Sequence, residues 1–141
     1  MLFRSYLRLR DFPTTDTYEE VASALRLFNG AKADSLVLDL RGNSGGRLDV
    51  GTRVASLFLP DGTPIYQEKT RRGRQSTQKS SGEPLWSKPV VLLIDDGTAS
   101  MGEILAAALQ EQHRGPVMGV TTAGSVAGSL VLPMRDRKSV V

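Results

Sequence analysis

A mixed α/β fold with mostly parallel central strands is what this sequence predicts, on three observations. Two short runs, Ser35 to Leu40 (SLVLDL) and Pro89 to Ile94 (PVVLLI), are almost wholly apolar and rich in β-formers, the pattern of strands buried on both faces. Segments with helical periodicity alternate with the strand-like ones. A small-residue loop leaves each apolar run: RGNSGG after the first, DDGTAS after the second. Alternation of this kind belongs to layered α/β domains. In such folds ligands sit at the carboxyl ends of the strands, where both loops lie.

The elements follow in order. Leu2 to Arg10 alternates loosely and reads as a strand. Phe12 to Gly30 reads as a helix, with Tyr18, Val21, Ala22, Leu25 and Phe28 on one face. Thr17 and Glu20 form a capping-box pattern, and Gly30 stands where a helix stop is expected. After the SLVLDL strand, a second helix runs from about Leu48 to Leu59, with Val50, Val54, Leu57 and Phe58 inward, and Pro60 to Gly62 ends it. Thr63 to Lys69 alternates like a strand. Thr70 to Ser87 is polar and reads as a loop or hairpin tip whose arginines are solvated surface. The PVVLLI strand leads to a third helix, Ser100 to about Gln112, with Met101, Ile104, Leu105 and Ala108 inward. Pro116 to Val120 and Leu130 to Met134 close the series as strands, with the loop TTAGSVAGS between them.

Composition narrows the function. The 141 residues fit one domain, residues 1–141, long enough to build a core without staples. Cysteine is absent and histidine occurs once, at position 113, which excludes disulfides, thiolate metal sites and His-rich metal sites. No metal or cofactor is expected. The net charge of +3 is too diffuse to imply nucleic acid. No apolar run reaches the ~20 residues of a membrane helix, and no export signal is visible.

The two loops carry the chemistry. Ser100 stands at the start of a helix, where free N–H groups and a partial positive charge gather. A serine hydroxyl becomes a nucleophile when a base takes its proton and donors stabilise the developing oxyanion. The Met101 N–H is one such donor. Gly45 and Gly46, without side chains, let a second N–H approach the same point. Read separately, Ser100 with Glu103 is a helix capping box with Thr98 as a competing cap, and GNSGG is a turn.

The segment LVLDLRGNSGGRLDVGTRVASLFLPDGTPIY, joined to VVLLIDDGTASMGEILAAALQEQHRGPVMGVTTAG, resembles the carboxyl-terminal processing serine peptidases, or tail-specific proteases. The likeness runs from about Tyr6 to Leu132. It implies a Clp protease/crotonase-like fold of stacked β-β-α units around mostly parallel central strands. It implies a serine endopeptidase acting near the carboxyl termini of polypeptides through an acyl-enzyme on Ser100. Gly45, Gly46 and Met101 would form the oxyanion hole. Glu103 caps and orients, Asp39, Leu40 and Arg41 are structural, and His113 is a surface residue near the helix end. The family's export signal and PDZ domain are not in this sequence, which reads as a peptidase core cut from a longer protein or as a naturally short relative, and the resemblance places the full-length protein outside the cytoplasm, in the periplasm or a like compartment. An exposed strand at the edge of a cut sheet would favour a homodimer.

One departure stands out. The family's lysine base falls twenty-five residues after the serine, in T-x-G-K-G, and here that position is Ser125. A hydroxyl has no comparable basicity. The glutamine expected four residues later is Ser129. Lys138 lies near the end, and His113 lies roughly 19–20 Å along the helix from Ser100 by its rise. Either another base serves Ser100, or the domain binds peptide tails without turnover.

Overall fold

A computed structural model describes residues 4–126, 132–133 and 139–140. Its centre is a four-stranded, fully parallel sheet built from β1 (Arg4–Arg8), β2 (Ser35–Asp39), β5 (Val90–Ile94) and β6 (Val117–Gly119), in that spatial order. The helices are α1 (Asp16–Gly30), α2 (Leu48–Ser56) and α3 (Met101–Glu111). A hairpin of β3 (Pro64–Lys69) and β4 (Gln75–Lys79) is inserted after α2, and β7 (Leu132–Pro133) pairs with β8 (Ser139–Val140) near the end. The strands step across the sheet in one direction, so right-handed crossovers bring the helices to one face. There α2 packs between α1 and α3.

Register explains the burial. Leu36 pairs with Val90 and Leu38 with Leu92; these side chains point at the helices and are inaccessible. The intervening Val37, Val91 and Leu93 point to the opposite face, beside Tyr6 and Met118, and are only partly covered. The strands expected to be buried on both faces are therefore buried on one. Asp39 is the exception on the second face. Its carboxylate accepts hydrogen bonds from the Tyr6 hydroxyl at 2.5 Å and from Arg41 Nε at 2.9 Å, and it is inaccessible to solvent. The Arg41 guanidinium, held as a fork across both carboxylate oxygens, keeps the Asp39 carboxyl far below the usual carboxylate range.

Helix ends depart from the sequence expectation. Helix α1 begins after Thr15, with Thr17 already buried inside its first turn. It ends on a Schellman motif whose left-handed residue is Lys32 (φ 56°), not Gly30, with Ala33 N–H bonded to Phe28 O and Lys32 N–H to Asn29 O. The same motif closes α3 with His113 in the left-handed position (φ 53°), Arg114 N–H bonded to Leu109 O.

The stretch Thr70 to Ser87 is more ordered than its polarity suggests. Half of it is β4 with a tight turn. Beyond β4, Trp86 is inaccessible, its N–H bonded to Leu57 O at 3.0 Å. Arg114 locks this return by donating to the carbonyls of Phe58 and Trp86.

Candidate active site

The loops after β2 and β5 meet at the carboxyl end of the sheet. Thr98 does not cap α3. Its hydroxyl, buried, donates to Leu40 O at 2.8 Å, while the Asp95 carboxylate accepts the N–H of Gly42 at 2.8 Å and of Gly97 at 3.0 Å. Asn43 is the second tie, and the sequence reading passed over it. Its Nδ2 donates to Leu9 O, its Oδ1 accepts the Gly45 N–H, and its backbone carbonyl accepts the Ala99 N–H at 2.8 Å. One buried amide thus joins the end of β1, the glycine loop and the turn before α3. An asparagine two residues before Gly-Gly was the available signal, masked because the same letters make an ordinary turn.

Ser100 is the N-cap of α3, with φ 52° and ψ −122°. Side chains avoid this region, and residues held there cost of order 1–3 kcal/mol. A nucleophile on a strained strand-to-helix turn has this backbone shape. The Ser100 N–H is held twice, by Ser125 O at 2.8 Å and by Glu103 Oε2 at 3.0 Å. The Glu103 N–H faces the Ser100 side chain, as in a capping box, without the geometry of a full hydrogen bond.

Gly45 (φ 96°) lies directly against the serine. A Cβ built on it would stand 2.6 Å from Ser100 Cβ, 3.0 Å from Ser100 Oγ and 3.0 Å from Met101 N. Any other residue would fill the space in front of the hydroxyl. Gly46 (φ 138°) is pressed to Phe12, whose carbonyl accepts the Arg47 N–H while its own N–H donates to Gly45 O. The Gly45 N–H is committed to Asn43. Among the described residues, the N–H groups of Gly46 and Met101 have no acceptor.

Glu103 fastens a third loop to the serine. Oε1 accepts the Gly124 N–H at 2.7 Å, and Oε2 accepts the Ser125 N–H at 2.8 Å as well as that of Ser100. Burial pushes this carboxyl up, but the Thr122 hydroxyl and the three N–H groups outweigh it, so its pKa lies below the ordinary value. The result is an ionised carboxylate with its lone pairs in use. Ser125 is brought against Ser100 by backbone bonds alone, its side chain at an exposed position. His113 sits exposed beyond the far end of α3, where it ends the helix. Ser129 and Lys138 lie outside the described residues.

Beside the site, an open groove of about 1090 Å³ runs between β3 and α3. Its floor is apolar, with Leu48, Ile65, Ile104 and Ala108. Glu103 and Thr122 line it at the serine end and Lys69 and Thr70 along the hairpin. No group of His, Cys, Asp and Glu among the described residues is arranged to hold a metal ion.

The profile of the family described as peptidase family S41 matches residues 5–141. A carboxyl-terminal-processing protease of Synechocystis is 42% identical over 119 residues, which are 84% of this chain and 27% of that protein. The carboxy-terminal processing protease CtpA of Bacillus subtilis is 36% identical over 118 residues, again 84% of this chain, and 25% of its own. The chain thus spans about a quarter of the length of these relatives. Among solved structures, the photosystem II D1 C-terminal processing protease superposes with a TM-score of 0.85 at 29% identity, covering 95% of this chain and 34% of that one. The tricorn protease, at 20% identity and a TM-score of 0.55, shares the fold alone, over 94% of this chain and 12% of its own. These likenesses carry the Clp protease-like fold class that the sequence resemblance implies.

Proposed function

Because the chain belongs to peptidase family S41, we propose that residues 1–141 are the catalytic core of a serine endopeptidase that cleaves polypeptides near their carboxyl termini. The observation that carries this reading is Ser100 itself: a strained residue at a helix start, faced by the bare Cα of Gly45 and flanked by two N–H groups without an acceptor among the described residues. Ser100 Oγ attacks the scissile carbonyl carbon as its proton passes to a base. The N–H groups of Gly46 and Met101 bind the oxyanion. The C–N bond then breaks, the amine leaves with a proton, and water releases the acyl group from Ser100.

The base is not Glu103, whose oxygens are saturated, nor His113 at the far end of α3. Ser129 and Lys138 lie outside the described residues, and no base is assigned among the groups around Ser100. We place the full-length protein's action outside the cytoplasm on family resemblance; no described helix is long and apolar enough to cross a membrane. Pairing of a free edge, β1 or β6, with a second copy would give a homodimer; a single monomeric species in sedimentation at high concentration rules that out.

Ser125 supports a second reading, a peptide-binding domain without turnover. Labelling with a serine-directed phosphonate, mapped by mass spectrometry, decides between them. A stoichiometric adduct on Ser100 supports the peptidase. No adduct in folded protein, with an adduct restored by Ser125→Lys, shows an intact site that lacks only its base.

A further inference from the structure

We propose that the β3–β4 hairpin is an electrostatic docking arm that selects polypeptides with an acidic segment next to the part held in the groove. This rests on the proposed use of the groove by a polypeptide. Between Glu68 and Lys79 the sequence carries Lys69, Arg71, Arg72, Arg74 and Lys79 against a single acid, a net of +4. The whole chain carries +3, so the basic balance that looks diffuse along the sequence is concentrated on one arm. Every residue from Gln67 to Lys79 is exposed, and none of the five cations is in an ion pair among the described residues.

The arm is ordered for display. Thr70 N–H bonds to Arg74 O and Gly73 N–H to Thr70 O, both at 2.9 Å, which sets Arg71 and Arg72 at the two central positions of the turn. At its base, Ser80 N–H bonds to Thr63 O at 2.8 Å. Strand β3 anchors the hairpin through the buried Ile65, but the turn and β4 are wholly exposed, so core packing does not account for their cations. Their position does, since Lys69 and Thr70 are the rim of the groove that Glu103 and Thr122 close at the serine. A chain lying in the groove meets Lys69 at its wall, and the turn that continues from Thr70 carries Arg71, Arg72 and Arg74. The turn and β4 have no apolar or aromatic side chain, so the arm lacks the apolar wedge that seats a basic element in lipid and the ring that stacks on a base.

The test is fluorescence anisotropy with labelled peptides that share an apolar heptad and carry four Asp or four Lys at one end, made in both orientations. Wild type and Ser100→Ala are both measured. The acidic peptides bind about tenfold or more tightly than the basic ones at 50 mM NaCl, and the ratio falls to about twofold at 500 mM. Arg71→Glu/Arg72→Glu/Arg74→Glu removes the ratio without shifting the melting temperature, since these side chains are exposed and in no ion pair among the described residues. Equal affinities, no binding of the acidic peptides, or a ratio indifferent to the triple reversal would overturn the proposal. So would charge-dependent binding to phosphatidylserine vesicles without any peptide preference. No adduct on Ser100 in either the wild type or Ser125→Lys, with an intact acidic preference, defeats the hydrolytic reading and keeps the arm; an adduct without the preference does the reverse.

Discussion

Glu103→Gln tests whether this carboxylate is a brace rather than a base. The glutamate accepts three N–H groups, from Gly124, Ser125 and Ser100, at 2.7, 2.8 and 3.0 Å, and it is only 9% exposed. Glutamine keeps the shape but turns one oxygen into a donor. If the remaining oxygen serves Ser125 and Ser100, the Gly124 N–H faces an NH2 group; the other rotamer strands two donors. Charge-assisted bonds contribute roughly 1.5–3 kcal/mol each, and an unmet buried donor costs a similar amount. The expected loss is about 2–4 kcal/mol, which for a domain of this size lowers the melting temperature by about 10 °C. Amide exchange at Gly124 and Ser125 should quicken more than at Leu38 in the sheet. The pH dependence follows from the depressed pKa. The stabilisation is complete above the unfolded glutamate value of about 4.3 and is lost as pH falls through the lower folded value. The gap between wild type and variant therefore closes on acidification. A loss under about 0.5 kcal/mol at pH 7, or a gap that widens in acid, would refute the reasoning.

Three further outcomes are expected. Ser100→Gly relieves the backbone strain at φ 52°, ψ −122°, a gain of about 1–3 kcal/mol less about 0.4–1 for glycine's freedom when unfolded; a lower urea midpoint would contradict the strain. Asn43→Ala leaves the Gly45 N–H and the Leu9 carbonyl unmet in a buried site, at about 2–4 kcal/mol by urea unfolding, and a neutral result would remove Asn43 as the tie between the loops. Asp39→Asn costs about 1–2 kcal/mol at pH 7, toward the lower end because Arg41 is half exposed. The Asp39 carboxyl is depressed further than that of Glu103, so its contribution, complete above about pH 3.9, should outlast that of Glu103 in acid titrations of unfolding.

The sequence revealed the strands and helices where periodicity is strong, and it was blind where tertiary contacts overrule local signs. The apolar runs at 35–40 and 89–94 became β2 and β5. Glycine at position 30 suggested a helix stop, yet α1 runs through it and ends with a lysine in the left-handed position. A glycine permits that conformation without imposing it. Trp86 hid inside a polar stretch, because its burial depends on Leu57 and Arg114, both far along the chain. At the site, Ser100, Gly45, Gly46, Met101 and Ser125 were all named from sequence and all meet in space. What stayed hidden was the division of labour among their N–H groups. The Gly45 N–H is bound by Asn43, so Gly45 contributes room and leaves the free donors to Gly46 and Met101.

That division bears on the missing lysine. Each bond that places Ser125 against Ser100 uses its backbone: the N–H to Glu103 and the carbonyl to the Ser100 N–H. The proposed oxyanion donors are also backbone groups, set by loops that Asn43, Thr98 and Asp95 hold. Nothing in this framework depends on which side chain occupies position 125. A chain can therefore lose the lysine without losing the strained serine or its donors, and the strain at Ser100 persists whether or not the hydroxyl is used. Strain retained at a site without function would be a standing cost that a single substitution to glycine removes. Urea unfolding of Ser100→Gly therefore reads the strain alone, and the phosphonate adduct reads whether the hydroxyl is used.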